Sequence, residues 1–162
     1  MTVWIPYTDL APETEAFGRA MGATPVHLVD RNEGYGLMMA DLWDIGAGFV
    51  IVEQDVAPLQ AEVETIMACS QPLCFFGYRG EERACLVFGC VRFSADFIAA
   101  HPTLWTDYLA AKDVPEGHPD HDFSAPRCRR WMMLPEWVDH RTGTAAHFHG
   151  RVRHLARMAG TR

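Results

Sequence analysis

The stretch Gly48-Phe49-Val50-Ile51-Val52-Glu53-Gln54-Asp55 decides the fold class, because an apolar run ends abruptly in two carboxylates. A continuous apolar run predicts a strand buried on both faces, as in the centre of a parallel sheet. Gly46 breaks the chain before this strand, and Pro58 opens a helix predicted over residues 59–68. A buried strand followed by a helix is the repeating unit of α/β proteins.

The segments on either side repeat this alternation of strand and helix. The predicted strands cover residues 3–7, 25–30, 48–52, 73–78 and 86–93. The predicted helices cover residues 12–21, 35–43, 59–68, 95–100, 102–109 and 131–139. Residues 112–130 are rich in Pro, Asp and His and are predicted to form a flexible loop. The order predicts one domain over residues 1–162, an α/β sandwich with a mostly parallel central sheet.

Length and cysteine content narrow the class of protein. A chain of 162 residues suits one domain with a substantial core. No apolar run reaches the roughly 20 residues of a membrane span, and Met1–Tyr7 lacks the features of a signal peptide. Five cysteines, an odd number, predict reduced thiols and a cytoplasmic location. Their spacing lacks the two-residue gap of zinc knuckles, so we expect Cys74, Cys85 and Cys90 to act as small apolar residues.

The formal net charge of −7 hides an asymmetry along the chain. Residues 123–162 hold eight arginines against Glu136 and Asp139, a local charge of +6, whereas residues 1–122 carry −13. A basic end on an acidic body is typical of proteins that contact phosphates or nucleic acid. An Arg-rich solvated tail gives the same pattern, so both interpretations stay open.

Glu53 and Asp55 form the first candidate functional pair, two positions apart at the end of the buried strand. In open α/β sheets, ligands bind beyond the carboxyl ends of the strands. Two carboxylates at such a place need a compensating cation, and Mg²⁺ or Mn²⁺ binds through oxygen ligands of this kind. The structural alternative is that Asp55 caps the following turn while Glu53 faces solvent.

Three late histidines form a second candidate group. His147 and His149 share a face if the chain is extended there, and His149 and His154 could each reach a metal ion. A surface His-x-His pair without a function is an equally open interpretation. The chain contains no P-loop, G-x-G-x-x-G, G-x-S-x-G or H-E-x-x-H motif. This disfavours P-loop nucleotide hydrolysis, Rossmann-type hydride transfer, serine hydrolysis and zincin chemistry.

Four segments together resemble GT-A-type glycosyltransferases, and in particular small glycosyltransferase-like proteins of actinobacteria and their phages. These segments are residues 4–7, 49–58, 88–94 and 147–155, which follow the family's order across nearly the whole chain. In GT-A enzymes a D-x-D or E-x-D motif holds a divalent metal ion that bridges the diphosphate of the sugar nucleotide. The resemblance therefore implies a single GT-A-like, Rossmann-like domain, a nucleoside-diphosphate sugar as donor substrate, and Mn²⁺ or Mg²⁺ as cofactor.

The resemblance also implies a set of metal ligands. Asp55 would ligate the metal directly, while Glu53 would contact the ribose or reach the metal through water. One of His147, His149 and His154 would complete the metal shell, with His149 preferred.

The resemblance further implies contacts to the donor and the acceptor. The nucleotide base and ribose would lie against Pro6, Tyr7, Thr8 and Asp30. Arg92 would lie near the donor sugar or the acceptor and take part in catalysis.

The chain departs from the family pattern at Pro135, which stands where relatives carry the aspartate of a W-x-x-L-D segment. That aspartate occupies the place of an inverting enzyme's base, so Glu136 or Asp139 is the predicted substitute. If the base is missing, the chain would instead be a nucleotide- or nucleic-acid-binding module on the same fold. A metal-dependent hydrolase that uses Asp55 and the histidines is the third interpretation.

The basic end suggests a polyanionic acceptor. A hydroxymethylated pyrimidine in phage DNA would be one such acceptor, and it would have to be exposed or flipped out of the duplex.

Overall fold

Eight strands form two sheets in the computed structural model, which describes residues 1–29, 33–79, 86–110 and 135–155. In chain order the strands are β1 (Thr2–Tyr7), β2 (Thr24–His27), β3 (Phe49–Val52), β4 (Val56–Ala57), β5 (Leu73–Arg79), β6 (Leu86–Phe93), β7 (His147–Arg151) and β8 (Arg153–His154). The main sheet has six strands in the order β2-β1-β3-β6-β5-β7, and β4 pairs with β8 in a second sheet of two strands.

The described residues also form six helices. They are α1 (Pro12–Met21), α2 (Glu33–Ile45), α3 (Gln60–Ala68), α4 (Ala95–Ala100), α5 (Leu104–Ala110) and α6 (Pro135–Thr142). The helix predicted over residues 12–21 is confirmed at both ends, because Pro12 lies in the first turn and Gly22 ends it. Gly22 has a φ of 63°, and the Ala23 N–H donates to the Gly18 carbonyl at 2.9 Å, which closes the last turn.

Five of the six strands of the main sheet point in the same direction. The β1–β2, β1–β3 and β5–β7 pairings are parallel, and β6 runs antiparallel to both of its neighbours, β3 and β5. The predicted fold class, an α/β sandwich with a mostly parallel central sheet, is therefore confirmed. The predicted loop over residues 112–130 lies outside the described residues.

β3 is buried along its whole length, as its apolar sequence predicts. Each of its four residues exposes 2% of its surface or less, because β1 and β6 cover both edges and helices cover the faces. Trp43 of α2 packs edge-on against Phe49 of β3 and Phe93 of β6, with ring centroids 6.1 and 5.1 Å apart. Apolar burial of this kind stabilises the fold and leaves the ends of β3 as the places where polar groups meet solvent.

Within the described residues, the bounds of the predicted elements agree with the structure to within two residues, except at two ends that differ by three. β2 ends at His27 rather than at residue 30, although the Leu28 N–H still donates to the Tyr7 carbonyl at 2.7 Å. The last helix ends at Thr142, three residues beyond the predicted end at Asp139, and residues 131–134 of that prediction lie outside the described residues.

Candidate functional site

The carboxyl ends of β1 and β3 lie side by side at a topological switch point. From β1 the chain passes to β2 on one side, and it then crosses through α2 to enter β3 on the other side of β1. Tyr7 and Thr8 are at the end of β1, and Glu53 to Asp55 follow β3. Open α/β sheets bind ligands in the crevice that such a reversal creates.

Gln54 ties the two strand ends together, a role that the sequence analysis missed. Its Oε1 atom accepts hydrogen bonds from the Thr8 N–H at 2.8 Å and the Asp9 N–H at 3.3 Å. Its backbone carbonyl accepts from the Ala11 N–H at 3.2 Å. The side chain is 6% exposed, and its Nε2 atom is buried with no hydrogen-bond partner in the described part of the chain. The one sequence signal for Gln54 is its position between the carboxylates of Glu53 and Asp55.

Glu53 is half-buried directly after β3 rather than fully in solvent. Its N–H donates to the Gly89 carbonyl at 3.2 Å, which anchors the end of β3 to β6. Burial and, next, the Glu53 carboxylate raise the pKa of Tyr35 in α2 above its usual range.

Asp55 meets one of the three late histidines. The His154 Nε2 atom lies 3.5 Å from Asp55 Oδ2, and the two side chains are 24% and 19% exposed respectively. The second sheet produces this contact, since β8 pairs with β4 directly after Asp55 and the Leu155 N–H donates to the Asp55 carbonyl at 2.7 Å. An oxygen and a nitrogen ligand thus face each other at the rim of the crevice.

The structure places the other two predicted metal-binding histidines in a different group. His147 and His149 join Cys69 and Cys74, and within the described ranges neither Glu53 nor Asp55 belongs to that group. β7 holds these two histidines beside β5, whereas the chain beyond it turns to β4 and carries His154 to Asp55. The preference for His149 over His154 beside Asp55 stays a prediction that no described contact supports.

Arg92 lies apart from the ends of β1 and β3, and its expected place near the donor sugar or the acceptor stays a prediction. It pairs with Val50, three residues before Glu53, because β6 runs antiparallel to β3. Its side chain is 8% exposed and its Nη1 atom donates to the Gln71 carbonyl at 2.7 Å. A catalytic role for Arg92 therefore has no support from its contacts.

The remaining predicted residues have the following places. Pro6 is buried within β1, and Tyr7 packs edge-on against His27 with ring centroids 5.2 Å apart. Asp139 is exposed on α6. Asp30 lies outside the described residues, as does the side chain of Glu136. The structure thus places Tyr7, Thr8, Glu53 and Asp55 at the carboxyl ends of the neighbouring strands β1 and β3.

Comparisons with known proteins concern the fold. No protein-family model and no curated protein sequence matches the chain. The crystal structure of A197 from STIV is similar over 94% of this chain and 84% of that chain, with 8% identity and a TM-score of 0.52. At this identity the similarity supports the α/β fold and assigns no function.

Two further solved structures show weaker similarity. One is a glycosyltransferase involved in the glycosylation of the major capsid of PBCV-1, with 12% identity, coverage of 90% and 92%, and a TM-score of 0.44. The other is CMP:2-keto-3-deoxy-manno-octonic acid synthetase complexed with CTP, with 12% identity, coverage of 94% and 73%, and a TM-score of 0.43. Scores of this size leave the function to be argued from the site. In the described part of the chain, none of the helices has the length and apolar content to span a membrane.

Proposed function

We propose that the chain is a metal-dependent glycosyltransferase, which moves a sugar from a nucleoside-diphosphate sugar to an acceptor hydroxyl. One observation carries the proposal: Glu53 and Asp55 follow the buried strand at the β1/β3 switch point, and His154 reaches Asp55 there. The diphosphate group of a sugar nucleotide is anionic. Carboxylates in the crevice that binds it therefore require a cation between them and the phosphates.

Asp55 and His154 would hold that cation. Mg²⁺ and Mn²⁺ are bound by one or two carboxylates together with substrate phosphates and water, and Mn²⁺ also accepts imidazole in sites of mixed ligands. Two protein ligands at the exposed rim leave room for phosphate oxygens. The cation supplies Lewis-acid stabilisation of the charge that develops on the departing diphosphate. Glu53, which is half-buried, would accept a hydrogen bond from the ribose.

The first two strands offer groups for the nucleoside. Tyr7 and the exposed His27 form an aromatic pair where β1 and β2 end, and such rings stack on any nucleobase. The Gln54 Nε2 atom is a buried donor without a protein partner in the described ranges, so it suits a phosphate or ribose oxygen. These contacts support a nucleotide ligand without selecting its base.

The acceptor side of the proposal involves α6 and the basic end. Glu136 and Asp139 are the proposed bases that take the proton of the acceptor hydroxyl, in place of the aspartate that Pro135 replaces. The charge of +6 over residues 123–162 supports a polyanionic acceptor, with hydroxymethylated pyrimidines in DNA as the first candidate.

Calorimetry with UDP, CDP, GDP and ADP, each with and without Mn²⁺, tests the donor site. We expect Mn²⁺-dependent binding that falls at least roughly tenfold in Asp55→Asn and in His154→Gln, because each removes one ligand. Asp44→Asn, an exposed change near the end of α2, is the matched control and keeps the wild-type affinity. If Asp55→Asn retains full Mn²⁺-dependent binding, the assignment of the cation to Asp55 is wrong.

Turnover distinguishes the three interpretations of the chain. The protein is incubated with Mn²⁺, a panel of sugar nucleotides and DNA that contains hydroxymethylated pyrimidines, and the DNA is analysed by mass spectrometry. A mass increase of one sugar per modified base supports the DNA acceptor, and labelling of a small glycan alone removes it. Binding without turnover indicates a nucleotide-binding module, and hydrolysis that needs no sugar nucleotide indicates a hydrolase.

A further inference from the structure

Four side chains with metal-ligating atoms converge at the edge of the main sheet. Cys69 directly follows α3, Cys74 is in β5, and His147 and His149 are in β7. One sulfur or ring nitrogen of each side chain lies within 4.8 Å of the other three. In a tetrahedral zinc site, bond lengths near 2.0 to 2.3 Å place the ligand atoms roughly 3.3 to 3.8 Å apart. Small side-chain rotations therefore suffice to bring all four atoms onto one ion.

The pairing of β5 with β7 explains why these side chains meet. The two strands run parallel, with Cys74 directly opposite His147. The two histidines are two positions apart on β7, and their ring centroids are 4.3 Å apart, so both rings lie on the same side of the strand. Cys69 is close because only residues 69–72 connect α3 to β5.

The contacts within this group favour a metal ion. The Cys69 sulfur lies 3.3 Å from His147 Nδ1, and the Gln71 N–H donates to the same sulfur at 3.4 Å. Amide hydrogen bonds to a sulfur favour its thiolate form, which is the form that binds metals. The His149 Nε2 atom is buried and has no hydrogen-bond partner among the residues described. A metal ion bound here would provide a partner for the Cys69 sulfur and for the His149 Nε2 atom.

We propose that Cys69, Cys74, His147 and His149 bind one zinc ion as a structural Cys₂His₂ site. Two thiolates and two imidazoles are a preferred ligand set of Zn²⁺, and four protein ligands fill its tetrahedral shell. Binding releases the remaining thiol protons to solvent, and the two thiolates balance the charge of the ion. Arg92 supports the site from outside: its Nη1 atom lies 3.8 Å from the Cys74 sulfur and places a positive charge beside it.

The zinc site is separate from the candidate donor site. Cys74 pairs with Arg92, which pairs with Val50, so the site is level with a residue three positions before Glu53. Three residues of strand span roughly 10 Å, and β6 and β5 separate the two sites laterally. The zinc ion would fix β7, the edge strand from which the chain continues to His154.

Metal analysis of the full chain tests the proposal. The protein is stripped with a chelator, titrated with Zn²⁺ against a chromophoric competitor, and separately loaded with Co²⁺. We expect one zinc per chain and the thiolate charge-transfer and visible bands of tetrahedral Co²⁺. Cys69→Ala and His149→Gln should each weaken zinc binding by at least roughly a hundredfold. Cys90→Ala, a buried thiol outside the group, and His140→Gln, an exposed imidazole, should bind zinc like the wild type.

Circular dichroism of every variant distinguishes a failure to fold from the loss of a metal ligand. Because Cys69 is half-buried, we expect its replacement to leave the core intact. The absence of stoichiometric zinc binding to the folded, reduced wild type would overturn the proposal. A Cys69–Cys74 disulfide that persists in reducing buffer would also overturn it. The proposal would likewise be overturned if zinc stayed bound in Cys69→Ala and His149→Gln but was lost in Asp55→Asn.

Discussion

Replacing Gln54 by leucine tests whether this residue holds the rim of the candidate donor site. The substitution removes the acceptor of the Thr8 and Asp9 N–H groups, whose hydrogen bonds measure 2.8 and 3.3 Å. Each lost bond to a partly buried donor costs about 1 to 1.5 kcal/mol. The change also removes the buried Nε2 atom, which has no partner in the described ranges. Removing this unsatisfied atom offsets the loss of unfolding free energy by about 1 kcal/mol. The net loss of unfolding free energy is therefore about 1 to 2 kcal/mol.

Urea unfolding, followed by tryptophan fluorescence and circular dichroism, measures this loss as a lower midpoint at unchanged m-value. The melting temperature should fall by about 3 to 6 °C for a chain of this length. Gln60→Leu is the control, because Gln60 is exposed on α3 and its side chain donates a hydrogen bond to the Glu64 carboxylate at 2.7 Å. It should change stability by less than about 0.5 kcal/mol. If Gln54→Leu is no less stable than Gln60→Leu, the two hydrogen bonds do not hold the rim.

Three further predictions concern the thiols, one turn and the metal. Burial opposes ionisation of Cys69, but hydrogen bonds from Gln71 and His147 lower its pKa to about 6. Iodoacetamide should thus alkylate Cys69 in the metal-free protein with a rate that rises from about pH 5 to 7, whereas a midpoint near the ordinary thiol pKa contradicts the contacts. Gly22→Ala should lower the unfolding free energy by about 1 kcal/mol, because φ is 63° there and no atom lies within 4 Å to add a clash. Equal stability in urea would show that the turn relaxes. Free zinc at about 100 times its dissociation constant should stabilise the protein by about 2.7 kcal/mol, and an unchanged melting temperature would argue against the site.

Local sequence patterns predicted most of the fold because apolar periodicity and turn residues act over short distances. Helix α1 shows this well, since Pro12 and Gly22 define its ends without help from the rest of the chain. The apolar run before Glu53 likewise identified the central strand and the carboxyl end at which a ligand would bind. The predicted end of α6 was less accurate, because the polar residues from His140 to Thr142 offer no apolar periodicity.

The chemistry of the histidines required more than sequence spacing. A His-x-His pair can face a metal in many arrangements, and its partners depend on which strand lies beside it. β7 pairs with β5, so the partners are Cys69 and Cys74, more than 70 residues earlier in the chain. The five-residue step between these two cysteines differs from a zinc knuckle, because the knuckle pattern describes ligands on one local turn. The contacts of Arg92 likewise depend on the direction of β6 in the sheet, which places this residue opposite Val50.

The α/β class, the buried central strand and the two carboxylates at its end could be read from the sequence, because apolar patterning and local turns specify them. Which distant residues complete each site depends on the tertiary structure. The β4–β8 pairing brings His154 to Asp55, the β5–β7 pairing gathers two thiols and two imidazoles, and Gln54 links two strand ends. Strand order and direction create these contacts, and they depend on packing across the whole chain rather than on neighbouring residues.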